Sequence, residues 1–290
     1  MNMTCLFSNA FASEVIEIYQ ENKNMKLEKI RNHWENSGRN FPCDGQITPT
    51  SRDPYLGELE RDNILAYLDM EYTCLEIGCG DAFHTMHYAK RVKHMSAIDV
   101  ANSLINIASQ RAQLESLRNV ELCVDSVLNI IDRFESEQFD CVLSQRCLIN
   151  LPDWELQKNA IIQIHHLLTD KGILLLSEGF QDHLNNLNEL RTTLALPEIQ
   201  VVDYNRNFFL DEFEDFVQRY FEVIEIRHYG AYLFFTRVYH PLVALPESPS
   251  HNSKMNKVAM DISKVETIPN LEKYSYNLFY VLKKRGYSEN

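Results

Sequence analysis

Residues 74–84 read Cys-Leu-Glu-Ile-Gly-Cys-Gly-Asp-Ala-Phe-His, a short apolar strand running straight into Glu76-x-Gly78-x-Gly80. Only a residue without a Cβ lets the backbone turn sharply and lie against a ligand, so paired glycines at a strand end constrain the fold strongly. A helix opening after such a turn presents free N–H groups and a positive dipole end to polar or anionic ligand atoms. A nicotinamide-dinucleotide fingerprint requires a third glycine where Phe83 stands.

The following hundred residues repeat the strand–helix alternation. Strands are predicted at Thr73–Gly78, Met95–Val100, Val120–Val124, Phe139–Ser144 and Ile173–Ser177. Helices fall between them at Phe83–Lys93, Ser103–Ser116 and Trp154–Leu168, with Asn102 as an N-cap and Gly172 as a C-terminal cap. The unbroken apolar run Ile173-Leu174-Leu175-Leu176 belongs to a strand buried on both faces, as in parallel sheets. The pattern predicts a doubly wound α/β sheet. Before it, Glu14–Lys29 has a polar helical rhythm, and Phe41-Pro42-Cys43-Asp44-Gly45 has turn chemistry. After it come helices near Leu184–Leu196 and Asp211–Tyr220, a strand Phe221–Tyr229, an aromatic stretch Tyr232–Tyr239, a polar helix Ser253–Val265 and a last strand Tyr276–Lys283.

Composition narrows the partners. A net charge of −13 without a basic stripe argues against nucleic acid and for a small-molecule substrate. Seven scattered cysteines, mostly in apolar runs, show no metal-ligand spacing and suit a reducing compartment. No metal site is expected. No apolar run approaches the length of about 18 residues needed for a membrane span, and no signal peptide is read at the start, so the expected location is the cytoplasm.

Glu76-x-Gly78-x-Gly80-x-Ala82 resembles motif I of the class I S-adenosylmethionine-dependent methyltransferases, with Ala82 at the third small position. The segment Ser144-Gln145-Arg146-Cys147-Leu148-Ile149-Asn150-Leu151 resembles a bacterial group of that family reading Ser-x-Arg-x-Leu-Ile-Asn-Leu, placed among sugar, surface-polysaccharide and small-metabolite pathways. The resemblance implies a Rossmann-like, mostly parallel sheet whose last strand is antiparallel. It divides the chain into a helical cap (1–70), a cofactor-binding core (71–230), an insert or lid over the substrate site (231–273), and a final core strand and tail (274–290). S-adenosyl-L-methionine is the cofactor it implies.

Candidate residues follow. Asp99, nineteen positions beyond Gly80 at the end of the second strand, can accept both hydrogen bonds of a ribose diol. The resemblance adds Asp125 for the adenine amine with the Ser126 N–H beside it, and Glu76, Gly78, Cys79, Gly80, Val100, Ser144 and Gln145 around the cofactor. Arg52 and Tyr55 in the cap are its candidates for the methionine carboxylate. Arg146, at the mouth of the fourth strand, is read as an anion clamp or as an ion-pair partner of Asp153 or Glu178. Glu178 is a candidate general base, with His228, His240 and His183 as rivals. Tyr229, Tyr232, Phe234, Phe235 and Tyr239 are either an aromatic wall over the site or the core of the insert. The reaction expected is methyl transfer to a small polar acceptor, more at oxygen than nitrogen. Two alternatives stand beside it: an NAD(P)-dependent oxidoreductase, disfavoured by Phe83 and by the lack of a Tyr-x-x-x-Lys pair, and a non-catalytic S-adenosylmethionine-binding protein.

Overall fold

The computed structural model describes residues 3–39, 41, 48–265 and 268–286, with backbone alone for 3–20; the turn read at 42–45 lies outside the described residues. Helix α1 (Met3–Arg39) and helix α2 (Pro54–Leu65) precede the sheet. The core then runs β1 (Thr73–Ile77), α3 (Thr85–Ala89), β2 (His94–Asp99), α4 (Asn102–Leu114), β3 (Val120–Val124), α5 (Ile130–Arg133), β4 (Phe139–Gln145), α6 (Trp154–Leu167) and β5 (Leu168–Gly179). Helices α7 (Gln181–Thr193) and α8 (Leu210–Val217) lead to β6 (Phe221–His228); α9 (Gly230–Phe234), α10 (His240–Ala244) and α11 (Lys254–Val265) intervene before β7 (Asn277–Lys284).

Strand order is β3-β2-β1-β4-β5-β7-β6. Strands β1 to β5 pair in parallel, and β7 runs antiparallel to both β5 and β6. The order reverses between β1 and β4, and a doubly wound sheet opens its ligand crevice at that switch point, beyond the carboxyl ends of the strands. Alternate residues of each strand feed opposite faces. Leu174 and Leu176 pack with Ile161, Ile164 and Leu167 of α6, while Leu175 packs with Leu56, Leu59 and Ile64 of α2 on the other side. Each such side chain contributes about 1.5–3 kcal/mol by leaving water.

Three local expectations change for identifiable reasons. Helix α3 stops at Ala89 rather than Lys93, because the Asn119 amide donates to the carbonyls of Ala89 (2.8 Å) and Val92 (3.1 Å). Gly172 is no helix cap: Leu168 pairs with Phe139 and turns extended directly after Leu167, so Gly172 lies inside β5. Asn102 is the first residue of α4, and Ala101 takes the cap position without a side-chain bond. The short rhythm read at Glu14–Lys29 is part of the 37-residue helix α1.

Candidate active site

The turn after β1 sets the geometry. Gly78 and Gly80 both take left-handed backbone, with φ +67° and +58°. A Cβ on Gly78 would lie 2.5 Å from Cys147 Sγ, and one on Gly80 would lie 2.7 Å from Thr50 Cγ2, so neither position admits a side chain. Ala82 also has a positive φ, at a cost that glycine would avoid. Asp99 fastens this turn to the end of β2: Oδ2 accepts the Gly80 N–H at 2.9 Å and Oδ1 accepts the Ala101 N–H at 2.9 Å. The Asp125 N–H in turn donates to the Asp99 carbonyl at 3.0 Å, which places the two acids on neighbouring strand ends.

A cavity of about 670 Å³ opens at this point, within the range of small-molecule sites. Gly78, Asp99 and Asp125 line it together, with Glu76, Cys79, Gly80, Val100, Ser126, Gln145 and Arg146. Helix α1 covers it with Leu27, Ile30, Arg31 and Trp34. Two contacts hold this cover down: Trp34 Nε1 donates to Asn150 Oδ1 at 2.8 Å, and the Ser103 N–H donates to Glu35 Oε2 at 3.1 Å.

The charges on the wall are tuned by burial. Glu76 is buried and its Oε2 makes no well-formed hydrogen bond, with the Thr85 hydroxyl close enough to act on it. Burial, with Asp99 adding and Thr85 opposing, pushes the Glu76 pKa up to about 7. Burial raises Asp99 to about 6 against its backbone donors. Asp125 spends its oxygens locally, accepting from its own neighbour Ser126 N–H at 2.8 Å and from Arg133.

Arg146 has φ +53°, a strained backbone for a side chain of this size. Its N–H donates to the Ser177 carbonyl at 2.8 Å, and its Nη2 meets Glu60 at 3.4 Å. Glu60 is sealed under α2, where it also accepts from Gln145 Nε2 (2.9 Å), Ser177 Oγ (3.1 Å) and Asn277 Nδ2 (3.0 Å). Arg146 is therefore paired with a helix α2 residue, not with Asp153 or Glu178.

Glu178 does not reach the cavity. It is fully buried, with Oε1 accepting from Ser144 Oγ (2.6 Å) and the N–H groups of Cys147 (3.0 Å) and Leu148 (2.9 Å), and Oε2 from Ile149 N–H (3.3 Å). These donors occupy the carboxylate and make it the anchor of the 146–150 turn, although burial raises its pKa to about 7. Ser144, bound to it, is equally removed from the cavity. His228 sits exposed at the end of β6, its ring 6.1 Å from that of His183. Arg52 is exposed and Tyr55 packs into the α2 face of the core, and neither lines the cavity. The segment 231–273 contributes no lining either. Tyr232 and Tyr229 are buried against α2, where Tyr232 OH donates to Asp53 at 2.6 Å and Tyr229 OH accepts from Asn63 at 3.1 Å. Of the aromatic stretch, Tyr229 and Tyr232 are core, Phe234 and Phe235 are half-buried, and Tyr239 is exposed, so the stretch forms no wall over the cavity.

The imidazole at the cavity is His84, which the sequence reading passed over inside motif I. Its Nδ1 is buried without a partner, and burial, reinforced by Arg146 and Arg61, lowers its pKa to about 3. Only its position, four residues past Gly80 at the head of α3, marked it in the sequence. Glu60 and Trp34 carried no local signal at all. Among the described residues no group of histidine, cysteine and carboxylate side chains could hold a metal ion, and no helix is long and apolar enough to cross a membrane.

Residues 74–172 match a family model described as a methyltransferase domain. No curated protein matches the chain significantly. Among solved structures, the [4+2]-cyclase SpnF shares 15% identity over 92% of this chain and 96% of its own, with a TM-score of 0.57. The N-methyltransferase NodS of Bradyrhizobium japonicum WM9, in complex with S-adenosylhomocysteine, shares 14% over 89% of this chain and 99% of its own, at 0.52. YcgJ of Bacillus subtilis shares 13% over 80% and 100%, also at 0.52. These likenesses concern the fold: a Rossmann-like methyltransferase sheet.

The cofactor indicated by the domain is S-adenosylmethionine, and the residues present fit it. The glycine turn leaves a cradle that a Cβ would fill, and the orphaned, buried oxygen of Glu76 lacks the cation that an amino-acid ammonium provides. Asp99 keeps lone pairs for two hydroxyl donors beyond its backbone bonds.

Proposed function

We propose that the protein transfers a methyl group from S-adenosylmethionine to the oxygen of a small phosphorylated or carboxylated acceptor. The observation that carries this reading is Arg146: a guanidinium held at the cavity wall by Glu60, on strained backbone, beside the cofactor-fitting turn. When bound, the cofactor supplies an electrophilic sulfonium methyl. The protein's part is to align and to exclude water.

In this reading Glu76 receives the ammonium, Asp99 the ribose hydroxyls, and Ser126 with Asp125 the adenine edge, the purine taking over the bond that Ser126 N–H now makes to Asp125. Arg146 pairs with the acceptor's oxyanion and turns one oxygen toward the methyl. Helix α1 closes the cavity through Trp34. A carboxylate or phosphate oxygen is already ionised at neutral pH and needs no base. That requirement agrees with a cavity in which Glu178 is sealed away and His84 holds protons weakly.

The test has two stages. Calorimetry with S-adenosylhomocysteine and NADH should give micromolar binding of the first and none of the second; binding of NADH alone would overturn the cofactor assignment. A turnover screen against small acids, sugar phosphates and neutral sugars then addresses the acceptor. Methylation confined to neutral sugars would reject the anion-clamp role of Arg146.

A further inference from the structure

A second concentration of positive charge lies away from the cavity, where the insert meets the start of α2. The chain after α9 forms a π-turn, Phe235–Tyr239, a rare geometry often found at functional sites. It carries Arg237, 8% exposed, whose Nη2 donates to Asp53. Its Nη1 is buried and has no hydrogen-bond partner. Tyr276 lies close enough to act on this charge but makes no well-formed hydrogen bond to Nη1. Arg191 of α7, 7% exposed, points its guanidinium at main-chain carbonyls only, those of Pro197 and Arg237.

The charges do not balance. Two buried guanidiniums share one carboxylate, Asp53, which already accepts from Tyr232 OH and caps α2 through the Leu56 N–H. Burial and the charge of Arg237 disfavour the ionised form of Arg191, whereas Asp53 and Tyr276 outweigh burial and hold Arg237 charged. His251 lies 3.9 Å from Asp53 at the half-open edge of the cluster, with Arg52 and His240 near it, and none of these adds negative charge. Unpaired buried N–H groups and uncompensated charge are costly, and an incoming anion removes both costs at once. Guanidinium forks match the planar or tetrahedral oxygens of carboxylates and phosphates.

We propose that Arg237 and Arg191 form an oxyanion-binding site, separate from the cofactor cavity, that takes the phosphate or carboxylate group of a small ligand. Asp53 stands three residues from Thr50, which lines the cavity, and caps the same helix whose Glu60 holds Arg146. Filling the site therefore acts on the helix that positions the acceptor clamp. The site does not depend on which acceptor is methylated.

The test uses the full chain in thermal unfolding and calorimetry, with inorganic phosphate or acetate compared with chloride at equal ionic strength. Saturating S-adenosylhomocysteine fills the cofactor part of the cavity, and an Arg146→Met protein run beside the wild type separates any anion taken up at the acceptor clamp. The binding of S-adenosylhomocysteine itself is measured first, so a failure of the cofactor reading shows separately. The expected result is a midpoint raised a few degrees by phosphate or acetate over chloride, of the order that ligand linkage gives. Phosphate alone acting identifies a phosphoryl group, and acetate alone a carboxylate. Arg191→Gln should weaken the effect about tenfold, the loss of one charged hydrogen bond, with circular dichroism and S-adenosylhomocysteine affinity unchanged. Arg191→Lys, which keeps the charge but not the fork, should fall between. Equal midpoints in oxyanion and chloride for the wild-type protein, or an undiminished effect in a folded Arg191 variant, would overturn the proposal.

Discussion

Glu60 Oε2 and Arg146 Nη2 stand 3.4 Å apart, joining a helix before the sheet to the strand end at the cavity. The carboxylate is fully buried and the guanidinium is 27% exposed, so the charge is fixed from below and offered to the cavity above. Arg146→Met should leave S-adenosylhomocysteine affinity within about threefold and lower methyl transfer by about 100-fold, the loss of a charged contact to the acceptor. Loss of cofactor affinity instead would move Arg146 from the acceptor to the methionine end.

Asp99 fastens the Gly80 turn, and in the proposed reading it also takes the ribose hydroxyls. Asp99→Ala should weaken S-adenosylhomocysteine binding by about 1–3 kcal/mol by calorimetry. Unchanged affinity in a folded variant would contradict its assignment.

Glu76 gives a pH signature with a definite sign. Its pKa rises from 4.5 to about 7 on folding, so the ionised form destabilises the empty protein above that pH, and the penalty fades as pH falls toward 4.5. Glu76→Gln should therefore stabilise the empty protein at pH 8, by about 2–3 kcal/mol at most, with no gain near pH 4.5. In the proposed reading the same ionised form receives the cofactor's ammonium. Wild-type affinity for S-adenosylhomocysteine should rise between pH 6 and 8, and the glutamine variant should lose that dependence. Urea unfolding and calorimetry across pH check both halves.

Glu178→Ala leaves four donors without an acceptor, three of them backbone N–H groups. The expected cost is about 3 kcal/mol or more in urea unfolding. A general base open to the cavity would be removed at little cost in stability, so an unchanged midpoint would reinstate that role.

Trp34→Phe removes the bond that ties α1 to Asn150 while keeping the ring's bulk. A hydrogen bond of about 1 kcal/mol corresponds to about a fivefold faster release of S-adenosylhomocysteine in stopped-flow measurements. An unchanged rate would mean that α1 does not control exit.

The sequence by itself determined the sheet and which residues of the glycine turn and of two neighbouring strand ends line one cavity. Buried strands are written as continuous apolar runs, and the turn is written in Gly78 and Gly80, because left-handed backbone and close approach select glycine whatever surrounds them. Asp99 and Asp125 were legible for a related reason: a strand end fixes where its next residue points. Glu178 and His228 stood at similar strand ends, and there only tertiary structure decided. Three N–H donors of the following loop and one hydroxyl of β4 close onto Glu178, and the sheet edge carries His228 away from the crevice. Arg146 was visible, but its partner Glu60 lies 86 positions earlier on a helix with no motif. His84, Trp34 and the Arg237–Arg191 pair belong to the same class. Their character comes from burial and from neighbours distant in the chain, and charge balance in a closed space is a property of packing that no local pattern of residues records.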